Sequence, residues 1–498
     1  MGGREFMLAV DQSTSGTKAL LVDRSGAIVA KSAAEHKQYY PQPGWVEHDP
    51  VEIYDSVKRT IRETMRAAGV RPDQLAALAI TNQRETAVLW DRTTGLPVTR
   101  AIVWQCQRTA DDCAALVAAG HEDAVRAATG LMIDPYFSAT KWSWMLDHTE
   151  GARERAERGE LLAGTVDSWL IWKLTGGATH ATDYTNASRT SLFNIHTLQW
   201  DDTMCELFRV PRKLLPNVEC SDALFGYALD PDLFDVPVPI AGVIGDSQAA
   251  LFGHLCLAPG MAKATYGTGT SVLMNVGDRP VPGVQGLVNA IAWGREGKAT
   301  YALEAVIRTS GDSVKWVRDQ LGLFRTYEEL DALLQEAGEH NEGVYLVPAF
   351  VGLGAPYWAP DARASIVGLS RGSGRAQIVR AAIESIAYQV RDAVELLYRE
   401  SGVALVELRA DGGASDNAVL MQFQSDMLDR RVLKSNVAEL SALGAVYMGG
   451  LGTGFWRAPE EIPSAASGKQ YVEYAPALAP EAREALYEGW KSAVATVL

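Results

Sequence analysis

The 498-residue chain has few cysteines, few histidines and no excess of positive charge, and each shortage excludes something. Its five cysteines, Cys106, Cys113, Cys205, Cys220 and Cys256, form no C-x-x-C pair, and no histidines stand paired at zinc spacing. Neither a disulfide framework nor a structural zinc site is therefore expected. The cysteines read as reduced, mostly buried thiols. Acidic residues outnumber basic ones by 61 to 46, for a net charge of −15. That balance excludes the basic surface that a nucleic-acid or anionic-membrane partner needs. No apolar run reaches membrane-spanning length, since the longest near candidate, 241–257, is broken by Asp246, Gln248 and His254. The opening Met1-Gly2-Gly3-Arg4-Glu5-Phe6 shows no basic segment followed by a cleavable apolar stretch. The expectation is a cytoplasmic chain without membrane insertion. With 47% hydrophobic residues over this length, two or more domains are expected, because single cores stop growing near roughly 250–300 residues.

What the chain does have is one kind of small polar turn, twice. Phe6-Met7-Leu8-Ala9-Val10 leads into Asp11-Gln12-Ser13-Thr14-Ser15-Gly16-Thr17-Lys18 and out through Ala19-Leu20-Leu21-Val22. Two apolar runs around such a turn read as a β-hairpin whose tip can grip phosphate. A tip of small residues such as Gly16 points backbone N–H groups into one concavity; Thr14, Ser15 and Thr17 add hydroxyls and Lys18 a charge. Asp11 has the chemistry to hold a metal ion, directly or through water. Most turns of this composition only turn. The second copy changes the reading: Met261-Ala262-Lys263-Ala264-Thr265-Tyr266, then Gly267-Thr268-Gly269-Thr270-Ser271, then Val272-Leu273-Met274-Asn275. Repetition in the other half suggests a duplicated domain, and two tips facing each other across a cleft make a nucleotide clamp, the actin-like ATPase plan.

Along the chain, 27–30 completes a three-strand meander, and Asp49-Pro50 opens a helix to Ala68 with Ile53, Val57, Ile61 and Met65 at helical spacing. A buried strand at 75–80 delivers Thr81-Asn82-Gln83-Arg84-Glu85-Thr86 at its end, where ligands sit in open α/β sheets. Arg84-Glu85 is either part of such a site or a surface ion pair. Ala101-Ile102-Val103-Trp104 repeats the strand pattern. Trp142, Trp144, Trp169 and Trp172 are expected to pack a core rather than stack on a ligand. Asp246 follows a strand and a Gly turn at a helix start, where it either caps the helix or serves as a general base. A helix is expected over 304–321 with Gly311 inside it, a costly place for glycine unless another backbone or a ligand comes close. Asp411-Gly412-Gly413-Ala414-Ser415-Asp416-Asn417, between a strand at 406–410 and an apolar helix, offers a turn that admits phosphate or a base.

Three further blocks carry a resemblance. They are Ile133-Asp134-Pro135-Tyr136-Phe137-Ser138-Ala139-Thr140-Lys141-Trp142, Gly164-Thr165-Val166-Asp167-Ser168-Trp169-Leu170-Ile171-Trp172 and Pro348-Ala349-Phe350-Val351-Gly352-Leu353-Gly354-Ala355-Pro356-Tyr357-Trp358. With Asn82-Gln83-Arg84-Glu85-Thr86 and Asp183-Tyr184-Thr185-Asn186-Ala187-Ser188-Arg189-Thr190, they resemble the FGGY family of carbohydrate kinases, most closely its glycerol-phosphorylating members, from about Met7 to Trp490. The resemblance implies an α/β chain of two actin-like (ribonuclease H-like) ATPase domains, 1–255 and 256–498, closing on ATP, Mg²⁺ and a small polyol. It implies that Arg84, Glu85, Tyr136 and Asp246 hold the polyol hydroxyls, with Trp104 as an apolar wall and Asp246 also as base. Thr14, Ser15 and Lys18 match the first phosphate loop, Thr268 the second, and Gly311, Gly412, Gly413 and Asn417 the nucleotide site. The implied metal position is Asp11 with Asp246. The sequence departs from the family pattern at Lys18, where arginine is frequent, at Ser247 and Lys315, where glutamine is usual, at Ser271, where an aromatic is usual, and at Arg308, where Phe is common. These departures leave a larger polyol such as erythritol, threitol or a pentitol as the alternative substrate. A non-catalytic ATP-binding sensor is a second alternative, which would not need Arg84, Glu85 and Asp246 together. A homodimer or homotetramer is expected.

Overall fold

The structure is a computed structural model describing residues 4–282, 286–338, 341–463 and 471–498. Two sheets organise it. The first runs through β1 (Phe6–Gln12), β2 (Gly16–Asp23), β3 (Ile28–Glu35), β4 (Leu75–Asn82), β5 (Leu224–Ala228) and β6 (Val238–Gly245), in the order β5-β6-β4-β1-β2-β3. The second runs through β7 (Met261–Tyr266), β8 (Thr270–Gly277), β9 (Val288–Arg295), β10 (Lys298–Ile307), β11 (Glu407–Asp411), β12 (Val432–Ser435) and β13 (Tyr471–Tyr474), in the order β9-β10-β8-β7-β11-β12-β13. Read outward from each hairpin, the pairings agree. β1 pairs antiparallel with β2 and parallel with β4, and β7 pairs antiparallel with β8 and parallel with β11. Each sheet then adds a further parallel strand, β6 or β12, and closes on an antiparallel edge, β5 or β13. The duplication expected from the two polar turns is thus present in the topology.

The helices that matter for the site and the core are α1 (Pro50–Ala68), α2 (Ser138–Asp147), α3 (Val166–Leu174), α4 (Asp246–Gly253), α5 (Gly311–Asp319), α6 (Tyr327–Glu336), α7 (Arg375–Ser401), α8 (Ala418–Leu428), α9 (Leu440–Gly452) and α10 (Pro480–Ala495), with others between. Helix α1 starts where expected: the Asp49 carboxylate accepts from the Val51 N–H, and Gly69, left-handed at φ 65°, ends it. Ile53, Val57, Ile61 and Met65 are all buried against the first sheet. Trp142 and Trp169 are fully buried core residues, and Trp144 stacks on His148, so these tryptophans pack the fold. Four cysteines are buried, Cys220 is half-buried, and all five are free.

Helix α9 lies in sequence between β12 and β13 of the second sheet but packs on the first, against α4, β6, β4 and β1. Glycines make the contact possible. A Cβ on Gly444 would lie 1.8 Å from the Ala249 carbonyl oxygen, and one on Gly449 would lie 2.2 Å from that of Ala241. On the facing side, a Cβ on Gly242 would meet the Ala445 oxygen at 2.4 Å. Backbone therefore rests directly on backbone at the root of α4.

Two local expectations are corrected. The segment 304–321 is not one helix: Glu304 lies in β10, and α5 begins only at Gly311. Ala302 to Ile307 complete an antiparallel ladder with β8, and that pairing outweighs the local helical pattern. The 101–104 stretch is a two-residue strand, Ala101–Ile102, in a small side sheet. Past it the chain turns, as the Val103 N–H donates to Val46 O and the Cys106 N–H to Val103 O.

Candidate active site

The site gathers where parallel strands end. β1, β4 and β6 are neighbours, and their last residues lie in register, Gln12 beside Asn82 and Asn82 beside Gly245. Asp11, Arg84 and Asp246 are thereby delivered to one edge of the first sheet. Opposite, β7 and β11 pair Thr265 with Asp411, so the Gly267–Gly269 tip and the Gly412-Gly413 turn stand side by side. Between the two edges lies a cleft of about 820 Å³, lined among others by Asp11, Lys18, Asp246, Ser247, Ser271, Arg308, Gly412 and Gly413.

The polar centre of the first edge is an ion-pair network. Arg84 Nε lies 3.1 Å from Asp246 Oδ1, its Nη1 donates to Gln248 Oε1 at 3.2 Å, and its Nη2 to Glu304 Oε1 at 3.4 Å. Arg189 joins the same carboxylates, with Nε 2.5 Å from Glu85 Oε1 and Nη1 3.2 Å from Glu304 Oε2. Arg84-Glu85 is therefore not a surface pair: both side chains are buried, and Glu85 holds a left-handed φ of 63°. Burial works against the charge on Glu304, yet Arg84, Arg189 and Lys263 together hold its pKa down at about 2. Asp246 keeps 37% of its side chain exposed toward the cleft. Its Oδ1 accepts from the Ser247 N–H at 2.7 Å as well as facing Arg84. Asp11 is pushed up to about 7 by burial and by the nearby Asp246 charge.

Trp104 and Tyr136 meet edge to face with ring centroids 5.4 Å apart, and the Trp104 indole N–H donates to Thr14 Oγ1 at 2.9 Å. That bond ties the apolar wall to the first hairpin tip. Ser15 is exposed at the tip. Gly16 is small for a structural reason, since a Cβ there would lie 2.7 Å from the Ala34 oxygen of β3. Lys18 points to Glu439, at 2.8 Å, just before α9.

A second cavity of about 590 Å³ adjoins the second tip and is lined by Thr268, Gly311, Lys315, Gly413 and Asn417. Thr268 O accepts from Ser310 N at 2.8 Å and Asp312 N at 3.2 Å, which fixes the α5 N-terminus to the tip. Gly311 starts α5 where a Cβ would sit 2.6 Å from Gly267 O, the close backbone approach expected of it. Gly412 has φ 90° with no room for a Cβ against Tyr266, and Asn417 caps α8 through Leu420 N. Nothing in the local sequence marks Arg189, Glu304, Gln248, Lys263 or Glu439 as site residues. Arg189 lies in the 183–190 block, where its sequence neighbours give it no partner, and Glu304 opens a window whose local pattern is helical.

The profile for the FGGY family of carbohydrate kinases, N-terminal domain, matches residues 6–253, and that for the C-terminal domain matches 262–453. The chain belongs to the FGGY family of carbohydrate kinases. It is 52% identical over 494 residues to a glycerol kinase of Xanthomonas axonopodis pv. citri, covering 99% of this chain and 98% of that one. It is 50% identical over 490 residues to a glycerol kinase of Caldanaerobacter subterraneus, covering 98% of each. Among solved structures, Plasmodium falciparum glycerol kinase with ADP superposes with a TM-score of 0.95 at 34% identity, covering 100% of this chain and 99% of that one. A gluconate kinase from Lactobacillus acidophilus shares the fold, with a TM-score of 0.86 at 21% identity over 98% of both chains. This FGGY kinase therefore has the two-domain, actin-like architecture expected from its repeated hairpins. Among the described residues no helix is long and apolar enough to cross a membrane.

Proposed function

We propose that this carbohydrate kinase transfers the γ-phosphoryl group of ATP to a terminal hydroxyl of glycerol, giving sn-glycerol 3-phosphate and ADP. The observation that carries the reading is the placement of Asp246. Arg84 and the Ser247 N–H orient one carboxylate oxygen, and the side chain opens on the cleft that separates the two hairpin tips. Supporting it is the 52% identity to a glycerol kinase over nearly the whole chain. The hydroxyl oxygen forms the new bond to the γ-phosphorus as the bond from phosphorus to the β,γ-bridging oxygen breaks, and Asp246 takes the hydroxyl proton. Arg84, Glu85 and Tyr136 orient the polyol over the Trp104 face. Thr14, Ser15, Thr268 and the Gly412-Gly413 turn receive the phosphates, and Lys315 and Asn417 border the nucleoside. Closure of the cleft keeps water, the smaller competitor, from the phosphoryl group.

Asp11 and Asp246 fit a magnesium ion that arrives with nucleotide. Mg²⁺ is usually held by one or two carboxylates plus substrate phosphates, and the described residues hold no group of three or more carboxylate, His or Cys ligands. When bound, the ion would neutralise phosphate charge. With this reading goes a cytoplasmic enzyme, and the expected homo-oligomer is tested by light scattering.

A larger polyol is the second reading, favoured by Ser247, Ser271 and Arg308, which line the cleft beyond Asp246. Ser271 donates to Glu304 Oε1 at 3.1 Å, and the exposed Arg308 donates to Val351 O at 3.3 Å. One test serves both: ADP formation measured as kcat/KM for glycerol, erythritol, threitol, xylitol and dihydroxyacetone. A glycerol value well above the rest supports the first reading. A four- or five-carbon polyol ahead of glycerol replaces it with the second, and no polyol-dependent ADP with any of them refutes both.

A further inference from the structure

Lys263 is a buried cation in the wall of the cleft, with its side chain committed to a single neutral acceptor. It lies on β7, where Ala262, Ala264 and Tyr266 face the core of the second sheet, so alternation turns Lys263 and Thr265 to the other side. The residue is only 2% exposed, yet it lines the same cleft as Asp11, Asp246 and Gly267. Its Nζ donates to Thr265 Oγ1 at 2.8 Å, and among the described residues it makes no ion pair. An ammonium has three donors, and burying one without a matching anion is costly.

The two carboxylates that feel its charge, Asp411 and Glu304, lie outside ion-pair distance of it and are bonded to other groups. Asp411 Oδ2 lies 2.7 Å from His254 Nε2, and Glu304 is held by Arg84 and Arg189. Lys18, the cation foreseen for the phosphates, is 42% exposed and paired with Glu439. A phosphoryl group passing between the hairpin tips spreads negative charge over three equatorial oxygens. A preplaced donor in a water-poor wall stabilises such charge without reorganising.

We propose that the Lys263 ammonium donates to an oxygen of the phosphoryl group in transit, making Lys263 a catalytic residue for phosphoryl transfer, with Thr265 as the hook that aims it. This rests on the kinase reading above. The transferred bonds are unchanged by it, because Lys263 only donates a hydrogen bond and neither gives up nor takes a proton in the step.

The test uses the full chain and two variants, Lys263→Met and Lys263→Arg, with the polyol that wild type turns over fastest. Lys263→Met is expected to lower kcat by about 10²–10³-fold. The KM for polyol and the affinity for Mg²⁺ with ADP should stay within about threefold, whereas affinity for the transition-state mimic formed by ADP, Mg²⁺, aluminium fluoride and polyol should fall with kcat. Lys263→Arg keeps a positive charge beside Asp411 and Glu304, so it reads the role even when the Met variant does not fold. It is expected to bind ADP normally while losing kcat at least about tenfold, because the longer fork misplaces the donor. Full kcat in either folded variant overturns the proposal. So does a parallel loss of ADP and aluminium fluoride binding, which would mark Lys263 as a structural counter-ion. A wild-type chain without polyol-dependent turnover refutes the polyol reading instead, and aluminium fluoride binding with ADP alone still separates the variants.

Discussion

Replacing Asp246 by Asn separates the base from everything around it. The geometry fixes how the amide would sit. Asp246 Oδ1 receives two donors, the Ser247 N–H at 2.7 Å and Arg84 Nε at 3.1 Å. An Asn there keeps its oxygen on those donors, so its NH₂ group faces the cleft. The substrate hydroxyl then meets a donor where it needed a proton acceptor. Loss of a positioned base costs about 10²–10⁴-fold in rate, or about 3–5 kcal/mol of barrier. The cost to stability is far smaller. The side chain is 37% exposed, so its ion pair with Arg84 is discounted for solvent to at most about 1 kcal/mol. Arg84 also retains Glu304 and Gln248. Expected, then, is a folded protein with a melting temperature close to wild type, whose kcat at saturating MgATP and polyol is down at least 100-fold; MgATP affinity falls less than kcat, since Asp11 and the phosphates still hold the magnesium ion. The assay is ADP release with and without polyol, alongside nucleotide titration and thermal melting. Turnover within tenfold of wild type would remove Asp246 from the role of base.

Arg189→Met leaves Glu85 and Glu304 buried with fewer partners and is expected to cost about 3–5 kcal/mol in chemical unfolding, whereas an unchanged midpoint would show the network to be dispensable. Gly444→Ala drives a Cβ to 1.8 Å from Ala249 O; it should destabilise by about 1–3 kcal/mol and lower kcat, because α4 carries Asp246 at its first position, and normal values for both would contradict the backbone contact. Asp167 is lifted to about 7 by burial and by Asp183, while accepting from Thr165 and Thr182. Since its folded pKa lies above the unfolded 3.8, the folded state holds the proton more tightly, and stability falls as pH rises between those values. Asp167→Asn should therefore gain on wild type in melting temperature from pH 5 to pH 8; a constant difference would show that Asp167 does not titrate in that window.

Elements whose signals are local can be read from the residues alone. An apolar run, a small polar turn and a second apolar run make a hairpin wherever they occur, so β1–β2 and β7–β8 were legible, as was α1 with its Asp49 cap. Polar residues at the ends of buried strands marked Arg84, Glu85 and Asp246, and the quoted blocks carried the family. Register and packing were decided in three dimensions. Glu304 reads as helical in its own window, but pairing with β8 places it on a strand, where it receives Arg84 from 220 residues away and Arg189 from the other half of the chain. The seat of α9 on the first sheet depends on Gly444, Gly449 and Gly242 meeting backbone, which no spacing announces. Lys263 shows the limit most clearly. In sequence it is one lysine in a strand; what sets it apart is burial beside a cleft whose nearby carboxylates are already engaged, and burial is a property of the packed chain.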